Sequence, residues 1–240
     1  MWTSSRGQAT EPNLVVTWDS SFPHACEQVH PGAPQNGRMR VHPVGATALL
    51  VECEPDEVEA WRAELWRRRA AGELTATEIV PGARTVLLDG LRTPERTAEA
   101  IAGWAPPPPA AVAGRDTVSI PTRFDGPDLT AIADHWAMSV PAVVDRITRT
   151  EFRVAFCGFA PGFAYLTGLP AELAVPRHPS PRPSVPAGSV GLAGPYAGIY
   201  PTASPGGWQL VGHTDTRLFD VDRDPPALLT PGTRVRLEPA

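Results

Sequence analysis

The chain contains no lysine: its 21 basic residues are all arginine. That absence excludes a phosphate-loop lysine, a Schiff-base lysine and a biotin-carrier lysine, because each of those chemistries needs an ε-amine. Cysteine is scarce, and Cys26, Cys53 and Cys157 are far apart, odd in number and without paired metal spacing. They read as reduced thiols of a cytosolic protein, with Cys157 kept as a nucleophile candidate because it borders the most unusual stretch of the chain. No apolar run reaches the roughly 18 residues of a membrane-spanning helix. The opening MWTSSRGQATEPNLVVTWDSS lacks the basic start and apolar run of a signal peptide, so a cytoplasmic location is expected. A net charge of −5 gives no reason to expect nucleic acid or an anionic membrane as partner. A Ser-His-Asp order, a zinc motif and a defensible carboxylate pair are also missing, so no metal site is expected.

What the chain has in excess is proline and glycine. Between Gly158 and Gly207 lie ten prolines and nine glycines, a density incompatible with long helices. The same stretch carries Phe159, Phe163, Tyr165, Tyr200, Trp208 and many aliphatic residues, which a disordered tract could not bury. It reads as short strands joined by stereochemically fixed turns, a backbone able to present polar groups in a set geometry.

Around it, residues 1–38 are polar and turn-rich and read as a disordered or loosely attached arm. Residues 39–104 read as a small α+β domain. It comprises a strand at 40–52 broken by His42-Pro43, a helix from Pro55 to about Ala70, and strands at 76–80 and 85–88 around Pro81-Gly82. A helix capped by Thr93 and ending near Trp104 completes it. Arg67, Arg68 and Arg69 crowd the end of the first helix, either as a solvated terminus or as an anion patch. Residues 105–114, APPPPAAVAG, read as a proline-rich linker. From 115 to 240 come strands at 117–122, 152–157, 216–219 and 233–237, with helices at 127–136 and, capped by Ser139, to about 149. Many short strands at close spacing with Gly/Pro turns argue for a barrel or closed sandwich.

Three blocks in order, GFAPGFAYLTGLP, PRHPSPRPSVPAGSVGLAGPYAGIYP and SPGGWQLVGHT, resemble one bacterial family. It is known as the 5-oxoprolinase B-subunit family, allophanate hydrolase subunit 1 or the sporulation-kinase inhibitor family, and corresponds to carboxyltransferase subdomains C and D of urea carboxylase. The resemblance covers residues 39 to the end. It implies an α+β N-terminal domain followed by a mainly-β cyclophilin-like barrel. It also implies a sister subunit of related barrel fold (similar to allophanate hydrolase subunit 2) and a third, decyclising subunit. The implied activity is ATP-dependent opening of 5-oxoproline to glutamate by the assembly and not by this chain alone. ATP with magnesium would sit at a site shared with a partner, and no cofactor would be covalently bound. A urea carboxylase or allophanate hydrolase-type component is an alternative, as is a non-enzymatic inhibitor of a sensor histidine kinase.

Read physically, Arg177 and Arg182 each follow a proline, which stiffens the backbone that aims them. Two guanidinium groups held this way suit a carboxylate, a carboxyphosphate or an ATP phosphate, or else fasten loop carbonyls to the barrel wall. His178 lies between them. The run beginning Gly188-Ser189 reads as a barrel strand more readily than as a phosphate loop, and Gly206-Gly207 form a turn whose N–H groups could nest an anion. His213, beyond a strand and near the same loops, is the candidate for proton transfer. Members of the resembled family commonly have arginine there, which points to anion binding instead. Asp220 and Asp222 sit in a turn that could hold a cation.

Overall fold

Residues 40–52 fold back on themselves. β1 (Arg40–Val44) and β2 (Ala48–Glu52) form an antiparallel hairpin, where the sequence suggested one interrupted strand. Pro43 lies in an edge strand, which tolerates its missing N–H, so the turn falls instead at residues 45–47. The structure is a computed structural model that describes residues 39–105 and 117–240. The expected arm at 1–38 and, apart from Ala105, the linker at 105–114 lie outside the described residues.

A second hairpin, β3 (Glu78–Pro81) and β4 (Thr85–Asp89), joins the first in a sheet ordered β1-β2-β4-β3. Period-two alternation sends Leu49, Val51, Val86 and Leu88 to one face, where they meet Trp61 and Leu65 of α1 (Val58–Ala70) and Ile101 of α2 (Pro94–Ala102). α1 begins later than Pro55, because residues 55–57 form a turn. Thr93 precedes α2 but makes no side-chain cap.

The three arginines are not an open anion patch. Arg67 and Arg68 both donate to Glu64, at 2.8 and 2.7 Å, and Arg68 also reaches Glu73. The Arg68 guanidinium lies over the Trp104 ring and that of Arg69 over Trp66. The hydrogen bond from Arg67 leads in holding the buried Glu64 carboxyl down at about 2, from an ordinary 4.5. A depressed carboxylate stabilises the fold above its unfolded value and loses that contribution as pH falls towards its folded one. Glu64→Gln should therefore lower stability by about 1–2 kcal/mol at pH 7. The gap to the parent should close between about pH 4.5 and 2, as followed by denaturant titration across that range.

The second core belongs to the strands after residue 117. These are β5 (Thr117–Thr122), β6 (Phe152–Cys157), β7 (Ala164–Thr167), β8 (Arg182–Val185), β9 (Ser189–Ala193), β10 (Tyr196–Ile199), β11 (Ser204–Gly206), β12 (Gln209–His213) and β13 (Arg234–Pro239). Seven of them make one mixed sheet, ordered β12-β9-β10-β7-β6-β13-β5. Arg123, just past β5, pairs back to His213 of β12 through two backbone hydrogen bonds of 2.8 and 2.9 Å. That bridge brings the two ends of the sheet order together and nearly closes the barrel. The result is the expected α+β unit followed by a mainly-β, cyclophilin-like barrel. β8 and β11 form a separate two-stranded ribbon.

Two helices, α3 (Leu129–His135) and α4 (Val140–Arg149), pack on each other and on β12 and β13. Ser139 caps α4, its hydroxyl accepting the Ala142 N–H at 3.4 Å. Leu129, Ile132, Trp136, Val143 and Ile147 join Phe152, Val154 and the β9 and β13 aliphatics in one core. Residues 216–219 are not the expected strand: only Phe219 pairs, in an isolated bridge to Ala227.

Candidate functional site

The Gly/Pro-rich stretch builds an aromatic layer on the barrel. Phe163, Tyr200 and Trp208 are buried, and Phe163 stands edge-on to both of the others at 5.3 and 5.5 Å. Tyr165 and Tyr196 pack beside them, and Phe156 stacks on Tyr165 at 4.3 Å. Phe159 closes the layer from outside, 54% exposed, with a left-handed backbone (φ 70°) that a bulky residue adopts only when its surroundings impose it.

Arg177 is exposed at the rim of this layer. Burial raises the phenols of Tyr165 and Tyr200, and the Arg177 charge partly offsets the rise at both. Among the described residues its guanidinium has no hydrogen bond or ion pair. Arg182 is placed differently. Its Nη2 donates to both Asp128 oxygens at 2.7 Å, and its Nη1 donates to the Trp208 carbonyl at 3.1 Å. The two arginines both act on Tyr200, yet they are not an equivalent pair. Arg182 is a brace with its charge already met, and Arg177 is the one presented outward.

Asp128 was not singled out by the sequence. It precedes α3 but does not cap it, and it is buried, accepting the Leu210 N–H at 2.6 Å as well as Arg182. His178 Nε2 lies 3.2 Å from Asp128 Oδ1 without the alignment of a hydrogen bond, so it is a buried polar atom lacking a partner among the described residues. Ser204 Oγ and Gln209 Oε1 share that condition. All three belong to two paired segments, tied by the His178 N–H to the Gly207 carbonyl at 2.8 Å and Gln209 Nε2 to the Pro176 carbonyl at 3.2 Å. Buried polar atoms are almost always satisfied, so these three mark hydrogen-bonding capacity that the described residues leave unused. Gly206 and Gly207 lie in the second of these segments, and Gly206 pairs with Arg182 across the β8–β11 ribbon.

The remaining candidates, Gly188, Ser189 and His213, gather at the barrel seam. Ser189 pairs with His213 in the β9–β12 register and is buried, at the start of a strand buried throughout. This run is barrel wall and not a phosphate loop. Gly188 (φ 80°) packs so closely that a Cβ there would come 2.1 Å from the Thr214 carbonyl oxygen. Gly188→Ala should therefore cost about 2–4 kcal/mol, combining left-handed strain with overpacking, a loss readable in a urea unfolding midpoint.

At the seam, His213 Nδ1 lies 2.9 Å from Asp125 Oδ1 and its Nε2 lies 3.4 Å from Arg123 Nη1. Arginine can only donate, so Nε2 accepts and the proton sits on Nδ1, directed at Asp125. Arg123 Nη2 also faces Asp215 at 3.7 Å. Arg123, His213, Asp215 and the Thr214 and Thr216 side of the loop line a cavity of about 300 Å³. His213 thus has an orienting carboxylate and a neighbouring guanidinium, a combination compatible with proton transfer or anion binding. Arg123, Asp125 and Asp215 escaped the sequence reading because each lies in a polar loop with no periodic signal.

Other sequence candidates fall away. Cys157 is half-buried, its thiol pushed up to about 11 by burial, and its Sγ faces the Leu229 carbonyl, so it is not a thiolate nucleophile at neutral pH. Asp220 is engaged with Arg217 at 2.9 Å and with the Asp222 N–H, the geometry of a turn.

Against known proteins, the family model for the carboxyltransferase domain, subdomain C and D, matches residues 39–229. The B subunit of 5-oxoprolinase from Escherichia coli O157:H7 is 41% identical over 211 residues, spanning 84% of this chain and 96% of that protein. The solved structure of TTHA0988 superposes with a TM-score of 0.67 at 34% identity, over 80% of this chain, which spans 40% of the longer TTHA0988 chain. The Kluyveromyces lactis urea amidolyase shares the fold at a TM-score of 0.64 and 21% identity, over 84% of this chain and 15% of that one. The chain belongs to the family of the carboxyltransferase domain, subdomain C and D.

Proposed function

We propose that this chain is the B component of an ATP-dependent 5-oxoprolinase, a hydrolase that opens the lactam of 5-oxoproline to glutamate. In this reading it acts with a sister subunit of related barrel fold and with a third, decyclising subunit, and is inactive alone. The observation that carries the reading is 41% identity across 96% of the Escherichia coli O157:H7 5-oxoprolinase component.

The site chemistry is consistent with it. A five-membered lactam carrying a carboxylate needs a cation to hold that group, and it brings amide N–H and C=O groups that seek partners. Arg177 supplies an outward guanidinium beside Tyr165 and Tyr200. Bidentate recognition of a carboxylate is what arginine does better than lysine. The exposed Phe159 ring and the half-buried Tyr165 and Tyr196 rings offer an apolar surface to a small ring.

The same residues do not assemble a nucleotide site. The glycine-rich run is a buried strand, and Arg182 is already paired with Asp128. ATP and its magnesium belong, in this proposal, to a site completed by a partner. The urea carboxylase reading rests on a fold shared at 21% identity, and it would need a separate biotin carrier because this chain has no lysine.

The test is phosphate release from ATP in a mixture of the chain with its barrel-fold and decyclising partners. Release dependent on 5-oxoproline supports the proposal. Release dependent on urea, bicarbonate and a biotin carrier replaces it.

A further inference from the structure

Arg177 is exposed, and among the described residues no side-chain bond aims it, so its direction comes from its backbone. Both peptide groups that flank its Cα are tied to one segment. The Pro176 carbonyl, in the peptide before Arg177, accepts from Gln209 Nε2 at 3.2 Å. The His178 N–H, in the peptide after it, donates to the Gly207 carbonyl at 2.8 Å. Peptide groups are planar, so anchoring both leaves little freedom to the two dihedrals between them, φ and ψ of Arg177. Those dihedrals set the Cα–Cβ direction and the rotamers open to the side chain.

The anchoring segment is itself held from behind. Arg182 donates to the Trp208 carbonyl at 3.1 Å, and Asp128 accepts the Leu210 N–H at 2.6 Å. Residues 208 and 210 are thus gripped by the Asp128–Arg182 pair, while 207 and 209 grip the loop that carries Arg177.

Gln209 differs from the other members of this set because its amide disfavours the fold. Its Oε1 is buried without a partner among the described residues, so it has lost water and gained no bond in return. Pro176 is exposed, and its carbonyl can bond water if the Gln209 amide is removed. An apolar side chain of the same length would therefore suit stability as well or better. What the amide supplies is restraint on Arg177.

We propose that Gln209 is a positioning residue: by holding the Pro176 carbonyl, its amide aims Arg177 at the substrate carboxylate. The inference rests on the reading that Arg177 holds that carboxylate. A grip made alike on bound substrate and transition state shows in KM and leaves kcat in place.

The test uses Gln209→Met, which keeps the length of the side chain and removes the amide. In the three-protein mixture with ATP, KM for 5-oxoproline should rise about tenfold, with kcat within about twofold. The thermal unfolding midpoint should be unchanged or higher, which a merely structural role would lower. In the Arg177→Ala background the same substitution should cause no further rise, since no guanidinium is left to aim. Amide relaxation by NMR reads the restraint without turnover: the Arg177 order parameter should fall from about 0.85 to below about 0.6. An unchanged order parameter overturns the proposal. So does an unchanged KM where Arg177→Ala is impaired, or an equal rise in both backgrounds, and each leaves the reading of Arg177 standing. Full activity of Arg177→Ala removes that reading instead, and Gln209 then has no substrate contact to serve. Absence of 5-oxoproline-dependent turnover in the parent mixture removes the oxoprolinase reading, and the order parameter alone then decides whether Gln209 restrains Arg177.

Discussion

Replacing Asp128 with alanine is expected to destabilise the protein by about 3–5 kcal/mol, the cost of leaving a buried charge without its partner. The carboxylate is 7% exposed and accepts three hydrogen bonds, two from Arg182 and one from the Leu210 N–H. Its removal leaves the half-buried Arg182 guanidinium with only the Trp208 carbonyl as partner and orphans a buried backbone donor in β12. Asp128→Asn should cost less, since the amide oxygen still accepts from Leu210, but it does not neutralise Arg182. Arg182→Met alone should also destabilise, and combining it with Asp128→Asn should recover part of the loss, because the two groups act as a unit. Urea unfolding of the four proteins gives this cycle directly. A change under about 1 kcal/mol for Asp128→Ala would mean that the pair contributes no more than a surface ion pair.

The second large effect falls on activity and spares the fold. Arg177→Ala is expected to lower kcat/KM for 5-oxoproline in the reconstituted mixture by roughly 100-fold or more, the loss of a charge-assisted, bidentate contact. Stability should change by no more than about 0.5 kcal/mol, as for an exposed residue without structural partners. Arg177→Lys should restore the charge but little of the rate, because an ammonium cannot make the planar two-point contact. The neighbouring Arg182→Ala should behave oppositely, unfolding more easily. If both arginine variants merely destabilised, or if Arg177→Ala kept full activity, the outward guanidinium would have no part in recognition.

These contrasts show what the residues disclosed before folding and what they did not. The density of proline and glycine around large apolar side chains announced short strands and rigid turns, and β6 to β12 are such strands. Strict alternation in FRVAFC and the buried run SVGLA were readable because strand periodicity is local. The hairpin at 40–52 was misread because Pro43 suggested a break, whereas an edge strand accommodates it. The site was legible only in part. Arg177, Arg182 and His213 stood out by context, but their partners Asp128, Asp125 and Arg123 lie in a loop 50 or more residues away in sequence. Which arginine is spent on a buried carboxylate and which is left outward depends on that long-range pairing. No spacing rule encodes it.

The most direct test of the account is the fate of isotopically labelled 5-oxoproline incubated with ATP and the three proteins, with this chain present or omitted. The account predicts labelled glutamate, formed with matching phosphate release, only when the chain is present. Equal glutamate formation without the chain, or none in the complete mixture while the three proteins associate, would contradict it.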